Sequence, residues 1–224
     1  MAEASQSFLD RTFEPAVRGY LHTPTNPNGD GIVLVHGAGS NANAPLLRAL
    51  AEAFAGVGKV VLRCDLPYRQ TRSFGPPGPG DAARDRRGIQ NMVEVLRKQV
   101  RGRIYLGGHS YGGRQSSMLC AENPDLVQGL TLFSYPLHPP RKPEQLRTQH
   151  LPQLRTPTLF VQGTRDPFGS IEEIEAAIKL IPARTELFKV EGAGHDLGLK
   201  GKAGGEELAR AAVGVFQRFF GEDS

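Results

Sequence analysis

From residue 31 onward, short apolar runs alternate with longer amphipathic stretches, and this alternation constrains the fold more than any other feature of the chain. The runs are "GIVLVHG", "KVVLRCD", "RIYLGG", "GLTLFSYP", "TPTLFVQG" and "TELFKVEG". Most are apolar almost throughout, so they read as strands covered on both faces. Between them, "APLLRALAEAFAGVG" places Leu46, Leu47, Leu50 and Phe54 at helical spacing and ends in glycines suited to a helix C-terminus. The stretches "GIQNMVEVLRKQV", "GRQSSMLCAEN", "SIEEIEAAIKLI" and "GEELARAAVGVFQRFF" also read as helices. Buried strands joined through helices predict an α/β fold: a doubly wound, mostly parallel sheet with helices on both faces. The first thirty residues depart from this pattern. There "FLDRTFEPAVRGYLHTP" predicts one or two antiparallel edge strands, with Pro15 and Pro24 keeping it at the edge.

The 224 residues suit a single domain, 1–224, large enough to bury a core without a disulfide or metal staple. The Pro-rich stretches 66–88 and 136–157 read as loops within it. Cys64 and Cys120 read as core residues in a reducing compartment. With no apolar run long enough to span a bilayer and no apolar leader in "MAEASQSFLD", the expectation is a soluble, cytoplasmic protein without a membrane partner. The net charge of +4 is scattered rather than gathered in a stripe, which argues against nucleic acid as a partner. The Arg-rich "RQTRSFGPPGPGDAARDRR" also carries Asp81 and Asp85 and reads as a solvated loop.

The chemistry gathers at "YLGGHSYGGR". Gly108-His109-Ser110-Tyr111-Gly112 is G-x-S-x-G between a predicted strand and a predicted helix. A sharp turn there lifts a serine hydroxyl above the sheet edge, and flanking glycines are needed where backbone crowds it. A free hydroxyl is a weak nucleophile and needs a base. Of the histidines that follow, His138 and His150 lie in the Pro- and Arg-rich connection and read as surface residues. His195, in the Gly-rich "EGAGHD" just past the last strand, is the candidate base. Asp166, in "VQGTRDPFGS" past the preceding strand, is the carboxylate that would fix its tautomer. Glu172, Glu173 and Glu175 read instead as the first turns of a helix. The oxyanion hole would use the backbone N–H of Tyr111 and that of Ala38, with the His36 side chain tying down the loop that carries Ala38. Ser116 and Ser117 follow on the helix without an evident base.

Taken together, strand-HG-x-G, "GGHSYGGR", "GTRDPFG" and "GAGHD" fall in the order of the α/β-hydrolase superfamily over residues 31–224. The chain most resembles its small lidless branch, related to dienelactone hydrolases and to non-specific-lethal complex subunit 3 proteins. The resemblance implies an α/β-hydrolase fold with a minimal cap, Ser110 as nucleophile, Asp166 as acid and His195 as base. Members of the branch often carry Lys or Arg before the serine and Met after it, where this chain has His109 and Tyr111. Dienelactone hydrolase itself uses a Cys nucleophile, so its specific activity is not implied.

These residues predict a serine hydrolase of carboxylic esters or thioesters that acts on a small-molecule acyl substrate with no cofactor and no metal. The short connection between "LFSYP" and "TPTLF" predicts an open, shallow site with little lid. Arg69 and Arg72, in the loop leaving the carboxyl edge of the sheet, are expected at its mouth as contacts for anionic substrates. Two other readings compete. Residues 37–42, "GAGSNA", satisfy a dinucleotide-binding fingerprint, with Asp65 near the position of a ribose-binding acid. A hydrolase scaffold can also serve as a non-catalytic interaction protein.

Overall fold

The computed structural model describes residues 5–198 and 202–221. Eight strands form one sheet: β1 (Gln6–Asp10), β2 (Val17–His22), β3 (Gly31–Val35), β4 (Val60–Cys64), β5 (Ile104–His109), β6 (Gly129–Phe133), β7 (Thr158–Gly163) and β8 (Thr185–Val190). Their spatial order is β1-β2-β4-β3-β5-β6-β7-β8. From β4 across to β8 every pairing is parallel, while β1–β2 and β2–β4 are antiparallel. The amino-terminal segment thus forms an antiparallel hairpin at one edge, and β1 is the edge strand itself.

Among the described residues six α-helices cover the sheet: α1 (Pro45–Gly56), α2 (Pro67–Thr71), α3 (Asp81–Arg97), α4 (Tyr111–Glu122), α5 (Ile171–Ile178) and α6 (Lys202–Phe219). Side chains alternate in direction along each strand, which sorts the core into two layers. Ile32 and Leu34 of β3 pack with Leu50 and Phe54 of α1 and Phe216 of α6. Val33 and Val35 face the opposite layer, with Ile89 and Met92 of α3, Cys120 of α4 and Ile174 of α5. Cys64 and Cys120 are buried free thiols, and burial pushes the Cys120 thiol up to about 12. Among the described residues no helix is long and apolar enough to cross a membrane.

The stretch 66–88 departs from its reading as a loop. Pro67 starts α2, where its missing N–H costs nothing. Helix α3 then begins at Asp81, seven residues before the apolar periodicity becomes obvious. Its first turns are Arg-rich, and a charged, solvent-facing helix turn looks like a loop in sequence. The connection between β6 and β7 holds one 3-10 turn, Leu151–Gln153, and no α-helix.

Candidate active site

Ser110 links β5 to α4 and has φ 50° and ψ −118°, a backbone conformation that L-residues rarely hold. The surrounding glycines make the turn possible. A Cβ on Gly108 would run into the backbone of Gly113, and one on Gly112 into the carbonyl of His36. The chain therefore crosses itself more tightly than any side chain permits, and Ser110 stands at the sheet's carboxyl edge at the start of α4.

His195 and Asp166 reach this point from the loops after β8 and β7. Ser110 Oγ lies 2.8 Å from His195 Nε2. On the far side of the ring, His195 Nδ1 lies 2.8 Å from Asp166 Oδ2 and 3.0 Å from Oδ1. A carboxylate only accepts, so Nδ1 carries the proton and Nε2 turns a lone pair to the serine. The Asp166 side chain is fully buried. It also accepts from Gln162 Nε2 at 3.0 Å and from the Phe168 N–H at 2.9 Å. Gln162 in turn accepts the Tyr135 N–H, and the Phe168 ring stacks on His195 with centroids 4.1 Å apart. Sequence reasoning missed Gln162, although a lone amide ending the apolar run "TLFVQ" is a signal that a buried polar partner waits nearby.

Ala38 and Tyr111 border the same cavity as Ser110. Tyr111 opens α4, where a first-turn N–H has no intrahelical acceptor. The loop carrying Ala38 is anchored from below. The Leu66 N–H donates to His36 Nε2 at 3.0 Å, so His36 Nδ1 is the protonated nitrogen and donates to the Gly37 carbonyl at 2.8 Å. Burial, ahead of its neighbours, pulls the His36 pKa down to about 4, which keeps the ring neutral. The Tyr68 hydroxyl donates to the Ala38 carbonyl at 2.7 Å. Asp85, fully buried, accepts from the Tyr111 hydroxyl at 2.8 Å and the Tyr68 N–H at 3.0 Å. Asp85 thus connects both sides of the candidate oxyanion hole. Its spacing to Ile89 and Met92 places it on the buried face of α3, a signal that its reading as loop obscured.

Several expected roles fall elsewhere. Neither Arg69 nor Arg72 lines the cavity. Arg69 is buried and donates to the carbonyls of Ser40, Arg72 and Gly75, which makes it a brace between two loops. Arg72 pairs with Asp81. Asp65 accepts from the Ala42 N–H and pairs with Arg18, so the acid of the dinucleotide fingerprint is engaged in holding its own loop. His138 is buried beside Glu173 rather than on the surface. Ser117 does have a histidine, His150 Nε2 at 2.8 Å. The Ser117 hydroxyl, however, donates to the Arg114 carbonyl at 2.9 Å, so His150 serves as its donor and not as a base.

The cavity over Ser110 measures about 750 Å³, within the usual range for small-molecule sites. Its walls include Leu46, Tyr111, Arg114, Pro136, Arg147 and Phe168. A pocket of that volume is roomier than the shallow site expected from the short connection, though no cap helix covers it among the described residues.

Residues 29–218 match the family described as an alpha/beta hydrolase domain. Among solved structures, dienelactone hydrolase from Anabaena variabilis aligns with a TM-score of 0.73 at 22% identity, covering 97% of this chain and 99% of that one. Est1E from Butyrivibrio proteoclasticus aligns with a TM-score of 0.74 at 18% identity, over 99% of this chain and 100% of that one. An α/β serine hydrolase without lid from Xanthomonas campestris gives 0.68 at 15% identity, over 98% and 94%. Likeness at these identities is likeness of fold. A 48-residue segment is 48% identical to polyketide synthase ThaQ of Burkholderia thailandensis, over 21% of this chain and 2% of that protein's length.

Proposed function

The chain belongs to the alpha/beta hydrolase domain family, and from that premise we propose that it is a serine hydrolase of carboxylic esters or thioesters. Support comes above all from one observation, the hydrogen-bonded row from Ser110 through His195 to a buried Asp166 at the head of a strained strand-to-helix turn. Ser110 Oγ attacks the acyl carbon while His195 Nε2 takes its proton. The developing oxyanion accepts from the N–H groups of Ala38 and Tyr111. Collapse expels the alcohol or thiol, which takes the proton back from His195, and leaves the acyl group on Ser110. A water molecule then gives a proton to His195 and attacks the acyl carbon. The acid departs as Ser110 regains its proton. The substrate is a small acyl compound, and these steps require no metal or cofactor.

A fluorophosphonate probe tests this directly. It should modify Ser110 in the wild type and nothing in Ser110→Ala, with peptide mapping as the readout. Folded wild-type protein that resists the probe, and hydrolyses esters and thioesters no faster than Ser110→Ala, would favour a non-catalytic interaction protein.

A further inference from the structure

We propose that the substrate carries an anionic group, a carboxylate or a phosphate, held between Arg114 and Arg147 in the cavity beside Ser110. This rests on the hydrolase reading for its chemistry, but the anion subsite itself stands on separate residues. Arg114 lies one helical turn beyond Ser110 on α4 and therefore on the same face. Arg147 comes from the connection between β6 and β7, and both side chains line the cavity wall.

Among the described residues, neither of these two cavity arginines has a counter-charge, and neither has its guanidinium donors filled by the protein. Arg18, Arg72, Arg86 and Arg103 each have a carboxylate within 3.4 Å or less. Among the described residues, the Arg114 guanidinium makes no hydrogen bond or ion pair, and its Nε is buried without a partner. The Arg147 guanidinium donates only to the Pro136 carbonyl, at 3.1 Å. The titratable groups around them supply no negative charge. His150, on Ser117, is pulled down to about 4 first by burial and then by Arg114 and Arg86, so it is neutral. The Tyr135 hydroxyl donates to the Arg147 carbonyl and burial pushes its pKa up to about 12. Glu122, two turns along α4 from Arg114, pairs with Arg86 of α3. Burial, with Arg114 next, lowers the Arg147 pKa.

Partly desolvated cations held close together without an acid are costly, and a chain that keeps them leaves the counter-charge to a ligand. A guanidinium fork suits a planar or tetrahedral oxyanion. Leu46, Pro136 and Phe168 add apolar wall to the cavity, which would strengthen the attraction by excluding water. The carboxylate in its lining, Asp196, is exposed on the His195 loop and accepts from the Gly198 N–H. The positive end of the site thus lies in the cavity lining at Arg114 and Arg147, which Arg69 and Arg72 do not join.

The experiment compares ester pairs that differ only in charge: 4-nitrophenyl hemiglutarate against its methyl ester, and 3-carboxyphenyl butyrate against its methyl ester. The first pair places the anion on the acyl side and the second on the leaving group. The readout is the ratio of kcat/KM within a pair, which does not depend on the fraction of folded protein. In wild type at least one pair should favour the anion. In the Arg114→Gln/Arg147→Gln variant that preference should fall about ten- to hundredfold, and less in Arg114→Lys, which keeps the charge without the fork. No anion preference in either pair, or a preference untouched in the double variant, overturns the proposal. Calorimetric titration with glutarate and with inorganic phosphate reads the subsite without turnover. Tighter binding of one identifies carboxylate or phosphate as the ligand group, and at least tenfold weaker binding to the double variant supports the subsite. Equal binding to both proteins, or none, overturns it. Should Ser110 resist the fluorophosphonate while anion binding still depends on the arginines, the hydrolase reading fails and the subsite stands.

Discussion

The ring of His109 approaches the backbone of His195: Nε2 lies 3.0 Å from the His195 carbonyl, so the nitrogen donates and the carbonyl accepts. The residue just before the candidate nucleophile thus holds the loop that carries the candidate base. His109→Phe keeps an aromatic ring, though a larger one, and leaves that carbonyl without its donor, a loss of about 1–3 kcal/mol for a buried group. Turnover should fall on the order of tenfold as the loop loosens, while the far-ultraviolet circular dichroism stays that of the wild type. Steady-state kinetics on a simple aryl ester would check this.

The same histidine makes stability depend on pH. Burial, as the largest influence, pulls both His109 and His36 down to about 4 from an ordinary 6.5. Between these values the unfolded chain binds protons that the folded chain refuses, so folding stability rises with pH there. The contribution is complete above about pH 6.5 and is lost as pH falls toward 4, at up to roughly 1.4 kcal/mol per pH unit for each ring. Urea melts across that window should show a falling midpoint on acidification, and a shallower fall in His109→Phe. A midpoint that holds level from pH 7 to 4.5 would contradict neutral burial of these rings.

Asp166 accepts the Nδ1 proton of His195 at 2.8 Å. In Asp166→Asn the amide can instead donate to that nitrogen, which moves the ring proton to the face that must accept from Ser110. The expected loss in kcat is about 10⁴-fold, by analogy with serine proteases. The single amide oxygen keeps only one of the two donors, Gln162 Nε2 on Oδ2 or the Phe168 N–H on Oδ1, so far-ultraviolet circular dichroism of the variant accompanies the kinetics. A kcat within tenfold of wild type would remove Asp166 from its assigned role.

Tyr111→Phe removes one of the two donors to the buried Asp85 carboxylate and leaves the Tyr68 N–H as the other. Burial already raises the Asp85 pKa, and the Tyr111 hydroxyl opposes that rise. The variant should lose about 1–3 kcal/mol of stability by denaturant unfolding. If the loss is absent, the Asp85 link between α3 and the two sides of the oxyanion hole carries no energy.

The parallel sheet, the strand-to-helix turn at Ser110 and the order Ser110, Asp166, His195 were all legible in the linear chain. Strand burial is written as local composition, and the turn as glycines at fixed offsets, so neighbouring residues suffice to read them. The beginning of α3 was not legible, because Arg-rich helical turns facing water share their composition with loops. Nor could sequence separate Arg69 and Arg72 from Arg114 and Arg147 as cavity residues. All four are arginines near a predicted site, and only packing decides which guanidinium is consumed by backbone carbonyls, which meets an aspartate and which faces the cavity without one. Ser117 illustrates the same limit: its meeting with His150 joins residues 33 positions apart, and only the direction of its hydroxyl bond separates that pair from a serine and its base. Composition and spacing determined the architecture and the candidate nucleophile, whereas the destination of each polar side chain depended on contacts between distant segments, which exist only once the sheet has brought its loops to one edge.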